Sequence, residues 1–206
     1  MLNYEQYKNS QRFCLTYDAC GYPPLAKKTK TLKTRPVFLD LSIGGTAARL
    51  TFELRKDIAP LTVENFRLLC TGDRGTHNGG TPLSYLGCIF HRVVKDFAVM
   101  GGDIANQDGT GRLSVYGEPF VDENFILWHV GPGVLTCCNA GPNTNTSAFM
   151  ITTVEAPWLN GHCVVFGCLA DAASFEALDK MEACGTEGGR PSVDIQVTAC
   201  GQLFPF

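Results

Sequence analysis

The chain has 206 residues, 45% hydrophobic and 18% charged, with a formal net charge of −3. That composition excludes wholesale disorder and leaves room for one well-buried domain. The weak negative balance gives no field to draw the chain onto nucleic acid or an anionic membrane, and no apolar run approaches the ~20 residues of a spanning helix.

Residues 1–35 show no sustained period of either kind. They hold Gly21-Tyr22-Pro23-Pro24 and then a basic stretch with Lys27, Lys28, Lys30, Lys33 and Arg35. This is read as an extension ahead of the domain, its basic end a solvated linker, with a nuclear-import or anionic-partner signal as the alternative. The first residues lack the apolar core and cleavage site of a secretory leader, so a cytoplasmic location is expected. The sequon Asn145-Thr146-Ser147 carries little weight in that setting. Nothing demands more than a monomer.

From Val37 the pattern changes to alternation. Val37, Leu39, Leu41 and Ile43, then after Gly44-Gly45 Leu50, Phe52 and Leu54, predict a β-hairpin of two half-buried strands. Pro60 opens a stretch with Val63, Phe66, Leu69 and Cys70 at helical spacing, which ends before Gly72. Residues 75–84 read as a turn-rich loop. Further strands are expected at 86–93, 97–101, 133–138, 147–153 and 163–169.

A second helix is expected at about 172–184, with Phe175, Leu178 and Met181 three apart and Gly185 as its stop. The last strand alternates Val193, Ile195, Val197 and Ala199 with Asp194, Gln196 and Thr198. Many strands and two separate helices predict a mainly β fold, a closed barrel with helices over its ends. An open antiparallel sheet carrying the helices on one face has the same periodicity.

Ten cysteines are the unusual feature of the composition. No C-x-x-C pair supplies a zinc half-site, and the chain does not look like a small secreted disulfide scaffold. Buried thiols acting as small hydrophobes are the expectation. A cysteine nucleophile at Cys163, with His91 or His162 as base, has no orienting carboxylate at a recognisable spacing. A P-loop is absent, and the glycines near Gly109 and Gly111 lack the strand-to-helix context of a dinucleotide fingerprint.

Three segments are more specific. They are Phe90-His91-Arg92-Val93-Val94-Lys95-Asp96-Phe97 with Met100-Gly101-Gly102-Asp103, then Asn139-Ala140-Gly141-Pro142-Asn143-Thr144-Asn145, then Trp158-Leu159-Asn160-Gly161 with Val164-Val165-Phe166-Gly167. Together they resemble the cyclophilin family, the cyclosporin-binding peptidyl-prolyl isomerases. The likeness extends to Glu64-Asn65-Phe66-Arg67, Tyr116-Gly117-Glu118, Asp122-Glu123-Asn124-Phe125 and Cys200-Gly201-Gln202-Leu203, and so covers 36–206 in the family's order.

The resemblance implies a closed eight-stranded antiparallel β-barrel capped by two α-helices. It also implies an isomerase of X-Pro bonds in proline-containing peptides and proteins, with no metal or cofactor. By the same likeness Arg92 is the catalytic donor to the prolyl nitrogen or adjacent carbonyl. Phe97, Met150 and Leu159 form the floor and walls of the proline pocket, Trp158 stands at its rim, and the backbone of Asn139 holds the residue before proline. His91 lies beside the arginine in the same groove.

Several groove positions depart from the family's pattern. Met100 stands in place of a glutamine that orients the arginine, Ala98 in place of a methionine, and Cys138 in place of an alanine. Ala148 replaces a glutamine, Met150 a phenylalanine, and Cys163 a histidine that hydrogen-bonds in the groove. A weakened isomerase with reduced cyclosporin affinity is therefore expected, a non-catalytic proline-peptide binder or scaffold being the alternative. The long loop after the first helix resembles the divergent-loop subgroup, in which the cysteines matching Cys70 and Cys200 are linked to oxidative control; a Cys70–Cys200 redox pair is the hypothesis this implies, two core thiols the alternative.

Overall fold

The computed structural model describes residues 36–203. The extension 1–35 with its basic stretch, Cys14 and Cys20 lies outside the described residues. Among the described residues, ten strands and two α-helices follow in chain order. They are β1 Val37–Ile43, β2 Thr46–Leu54, α1 Pro60–Thr71, β3 Thr76–His77, β4 Thr81–Pro82, β5 Arg92–Val94, β6 Ala98–Gly101, β7 Val134–Cys137, β8 Phe149–Thr152, β9 Val165–Leu169, α2 Ala172–Ala183 and β10 Ile195–Gln202. A short 3-10 turn, Pro157–Leu159, precedes β9.

Eight strands form one antiparallel sheet in the order β10-β1-β2-β9-β7-β8-β6-β5. The hairpin predicted from Gly44-Gly45 is present, with Ile43 opposite Thr46 and Val37 opposite Phe52. Both of those glycines have positive φ, which only a residue without Cβ adopts freely. The loop expected at 75–84 contains the small hairpin β3–β4, whose His77 and Thr81 pair.

The closed barrel is corrected. The sheet curls into a half-barrel, and no ladder joins its two ends, β5 and β10. The gap is crossed by the chain before β5, where Ile89 bridges Gln196, Phe90 N donates to Ile195 O at 2.9 Å, and Val197 N donates to Cys88 O at 2.8 Å. The strand expected at 86–93 is thus reduced to Arg92–Val94. Gly87, at φ +83, turns the chain out of the extended conformation that a ladder needs.

Helix α1 starts on Pro60, whose missing N–H costs nothing at that position. The next two amides are satisfied from outside the helix, because the Glu123 carboxylate accepts from Leu61 N at 2.9 Å and Thr62 N at 2.7 Å. Gly72 closes it in the left-handed conformation. The buried face carries Val63, Phe66 and Leu69 as the spacing predicted. Phe66 packs its ring among Phe52, Tyr85, Phe149 and Phe166, with centroids 5.2–5.5 Å apart. Asp171 caps α2 by accepting from Ser174 N at 2.8 Å, and Phe175, Leu178 and Met181 face inward. No helix among the described residues is long and apolar enough to cross a membrane.

Candidate functional site

Strand alternation divides the apolar residues of β5, β6, β7 and β8 between two faces. Val93, Val99, Leu135 and Ile151 point into the main core. Their neighbours Ala98, Met100 and Met150 point the other way and form a second buried cluster with Cys163, against which Phe97, Cys138 and Leu159 pack. The register explains the meeting. Arg92 pairs with Met100 across β5–β6, and Met100 pairs with Met150 across β6–β8. Paired residues share a face, so Arg92, Met100 and Met150 form one row across three strands.

Arg92 stands at the edge of that cluster with its side chain exposed, and it has no hydrogen-bond or ion-pair partner among the described residues. Its stem lies along Gly189, where an added Cβ would be 3.2 Å from Nε and 3.3 Å from Cγ. The Gly189 carbonyl accepts from Val93 N at 2.7 Å, which ties that loop to β5. On the Arg92 flank, a cavity of about 470 Å³ is lined by His91, Gln107, Asp108, Gly189 and Arg190 among others.

Trp158 borders the cluster at Phe97. It is 58% exposed, and its ring lies over Phe97 with centroids 6.0 Å apart and planes 35° from parallel. The turn that carries Trp158 and Leu159 is held by Asn160, whose Oδ1 accepts from His129 N at 3.0 Å and meets His129 Nδ1 at 2.9 Å. His129 is itself buried, with Nε2 3.1 Å from the Thr136 hydroxyl. Burial lowers the His129 pKa, partly offset by the bond to Asn160.

Asn139 is fixed by its side chain, Nδ2 donating to His162 O at 2.7 Å. Ala148 is buried beside Cys138, from whose N its carbonyl accepts at 3.2 Å. Of the residues singled out from the sequence, Phe97, Ala98, Met100, Cys138, Met150, Leu159 and Cys163 therefore share one apolar cluster. Arg92 and Trp158 border it, and Asn139 and Ala148 adjoin it.

His91 is elsewhere. Its ring packs against Gly109, where an added Cβ would be 2.7 Å from Nε2, and its Nδ1 is buried without a partner. Burial is the main reason its pKa is lowered, against the raising influence of Asp103 and Asp108. Cys163 does not offer a thiolate, because burial pushes its pKa up to about 11. Cys70 and Cys200 are both free thiols, on α1 and β10, two elements that pack together. Cys70 is buried, and Cys200 Sγ lies 3.8 Å from Ser84 Oγ.

Asp103 is the residue that the sequence did not single out. Its side chain is 1% exposed and organises the loop over His91. Oδ1 accepts from Ala105 N and Asn106 N, both at 3.0 Å. Oδ2 accepts from Asp108 N at 3.3 Å, Gly109 N at 3.0 Å and Gly111 N at 2.9 Å. A Cβ at Gly111 would overlap the carboxylate. Burial alone raises the Asp103 pKa, but the backbone donors outweigh it and leave the group below the ordinary value. The signal in the sequence was an aspartate directly after Gly101-Gly102 and ahead of Gly109 and Gly111.

The arrangement is an apolar cluster bordered by the Arg92 guanidinium, which has no hydrogen-bond or ion-pair partner among the described residues, and by the exposed Trp158 indole packed on Phe97. Such a site suits a small apolar ring attached to a polar backbone. A family model described as cyclophilin type peptidyl-prolyl cis-trans isomerase/CLD matches residues 38–202.

Proposed function

Because the chain belongs to the cyclophilin-type peptidyl-prolyl cis-trans isomerase family, we propose that it accelerates rotation about X-Pro bonds, with the proline ring seated on Phe97, Met150 and Leu159 and Arg92 as the donor. The observation that carries this reading is the row Arg92, Met100, Met150, which brings a guanidinium without a hydrogen-bond or ion-pair partner among the described residues to the edge of an apolar cluster separate from the core.

The chemistry asks for little more. Amide resonance sets a rotation barrier of ~18–20 kcal/mol. As resonance is lost the prolyl nitrogen gains a lone pair, and a donor held near it binds the twisted state better than either planar one. A guanidinium serves without changing protonation state. A ten-thousandfold acceleration requires differential binding of only about 5.5 kcal/mol.

The activity proposed is a reduced one, with cyclosporin bound more weakly than by a cyclophilin carrying the usual groove residues. Met100 supplies no hydrogen bond to orient Arg92, and Cys163 supplies at most a weak donor. One missing hydrogen bond to a charged group costs roughly 1.5–3 kcal/mol, about ten- to a hundredfold in rate. The same absence of a partner for Arg92 favours a second reading, in which the groove only holds a proline segment.

The deciding experiment is the cis–trans exchange rate of a short Ala-Pro-Phe-type peptide, measured by NMR with the natural chain and with Arg92→Ala. Acceleration that drops at least tenfold in the variant supports the isomerase. Peptide binding without acceleration in either protein overturns it in favour of the binder.

A further inference from the structure

We infer that Cys138 and Cys163 form a thiol pair just beyond the end of the β7–β9 ladder, beside the apolar cluster, a modification site at which a two-electron oxidant such as hydrogen peroxide links the two sulfurs. The linked pair is incompatible with a seated peptide. The argument starts from register. Thr136 on β7 pairs with Val165 on β9, and one step further Cys137 N donates to Val164 O at 3.0 Å. Two steps beyond that, Asn139 Nδ2 donates to His162 O at 2.7 Å. Cys138 is bracketed by these two bonds, so it stands opposite Cys163.

The faces agree with the register. Cys137 and Val164 both point into the main core, whereas Cys138 and Cys163 both belong to the outer cluster. The ladder ends at Thr136 and Val165, and opposed residues in a regular antiparallel pair lie with Cα atoms about 4.5–5.5 Å apart. That falls within the roughly 4.4–6.8 Å that disulfides span. Cys138 also raises the pKa of Cys163, as a group near it does.

Cys138 is half-buried, while Cys163 is 6% exposed. Cys138 therefore meets the oxidant first. Its sulfur displaces one oxygen of the peroxide, giving a sulfenic acid and one water. The thiolate fraction of Cys163, small at neutral pH, then attacks that sulfur, the S–S bond forms, and the sulfenic oxygen leaves as hydroxide that takes up the proton Cys163 released, giving a second water. The cysteine side chains gain one bond and lose two electrons to the peroxide. Linked, the sulfurs stand between the pocket and the backbone of Asn139, where the residue preceding proline would lie. That consequence rests on the peptide-groove reading, whereas the crosslink does not.

The test uses the full reduced chain, treated with a few equivalents of hydrogen peroxide, alkylated, and digested without reduction by a glutamate-specific protease. Cleavage after Glu155 separates the two cysteines. A 138–163 crosslinked peptide is expected, absent from both Cys138→Ser and Cys163→Ser. NMR binding of the Ala-Pro-Phe-type peptide should weaken at least fivefold on oxidation and return with dithiothreitol. Neither serine variant should show that loss, and Cys163→Ala is a second check should the serine unfold the wall. Recovery of both residues as separate thiols or sulfinic acids overturns the pair. So does a crosslink that leaves binding unchanged, or a binding loss that persists in Cys163→Ser. If the reduced chain binds no peptide, the groove reading fails and the crosslink alone decides the pair.

Discussion

Met100 is the residue where sequence departure and geometry meet most directly. It sits opposite Arg92 in the β5–β6 ladder, close enough for a side chain of glutamine length to reach the guanidinium. Met and Gln have similar length and flexibility, so the exchange adds a polar end with little change of volume. Met100 is only 9% exposed, and an amide there has to find its partner in Arg92. Met100→Gln is therefore expected to raise kcat/KM on a proline peptide about tenfold, from one regained hydrogen bond to a charged group. The measurement is the same exchange experiment. A variant that folds but shows an unchanged or lower rate sinks the view that lack of an orienting partner limits Arg92.

At the scale of elements, the loop 103–111 depends on one carboxylate. Asparagine at Asp103 would keep one oxygen for Ala105 N and Asn106 N, but turn an amide nitrogen towards Asp108 N, Gly109 N and Gly111 N. Those donors lose their acceptor in a buried place, so Asp103→Asn is expected to cost about 2–4 kcal/mol. Urea unfolding checks it, and a loss below about 0.5 kcal/mol would contradict the role given to Asp103. This loop also shows what was illegible in the sequence. The hairpin β1–β2 and both helices were readable, because alternation and helical spacing are local. The cluster of Met100, Met150, Cys138 and Cys163 was readable only through family likeness, since its members come from different strands. Asp103 and His129 were missed because their work is done with backbone amides and with Asn160, partners that side-chain patterns do not announce. His91, placed in the groove by its position next to Arg92, lies outside the apolar cluster and lines the cavity that flanks Arg92.

For the whole molecule, two histidines, His129 buried and His91 half-buried, set how the fold responds to mild acid. His91 and His129 both have pKa values lowered by burial, so the folded chain resists protonating them. The unfolded chain protonates the same groups near the ordinary value of about 6.5. As pH falls through that value the unfolded state binds more protons than the folded one, and stability declines until the lowered folded values are reached. Asp103 and Asp171 act later, since their folded values are depressed below the ordinary carboxylate range. Their contribution is complete above about pH 4 and is lost only as pH falls further. Acid unfolding should therefore proceed in two stages, a first decline starting near pH 6.5 and a second below about pH 4. His129→Gln, which retains a polar partner for Asn160, should flatten the first stage and leave the second in place. Urea midpoints measured from pH 8 down to pH 3 on both proteins read the two stages separately. A natural chain with the same midpoint at pH 8 and pH 5 would mean that the fold accommodates both charged imidazoles, against the burial that surrounds them.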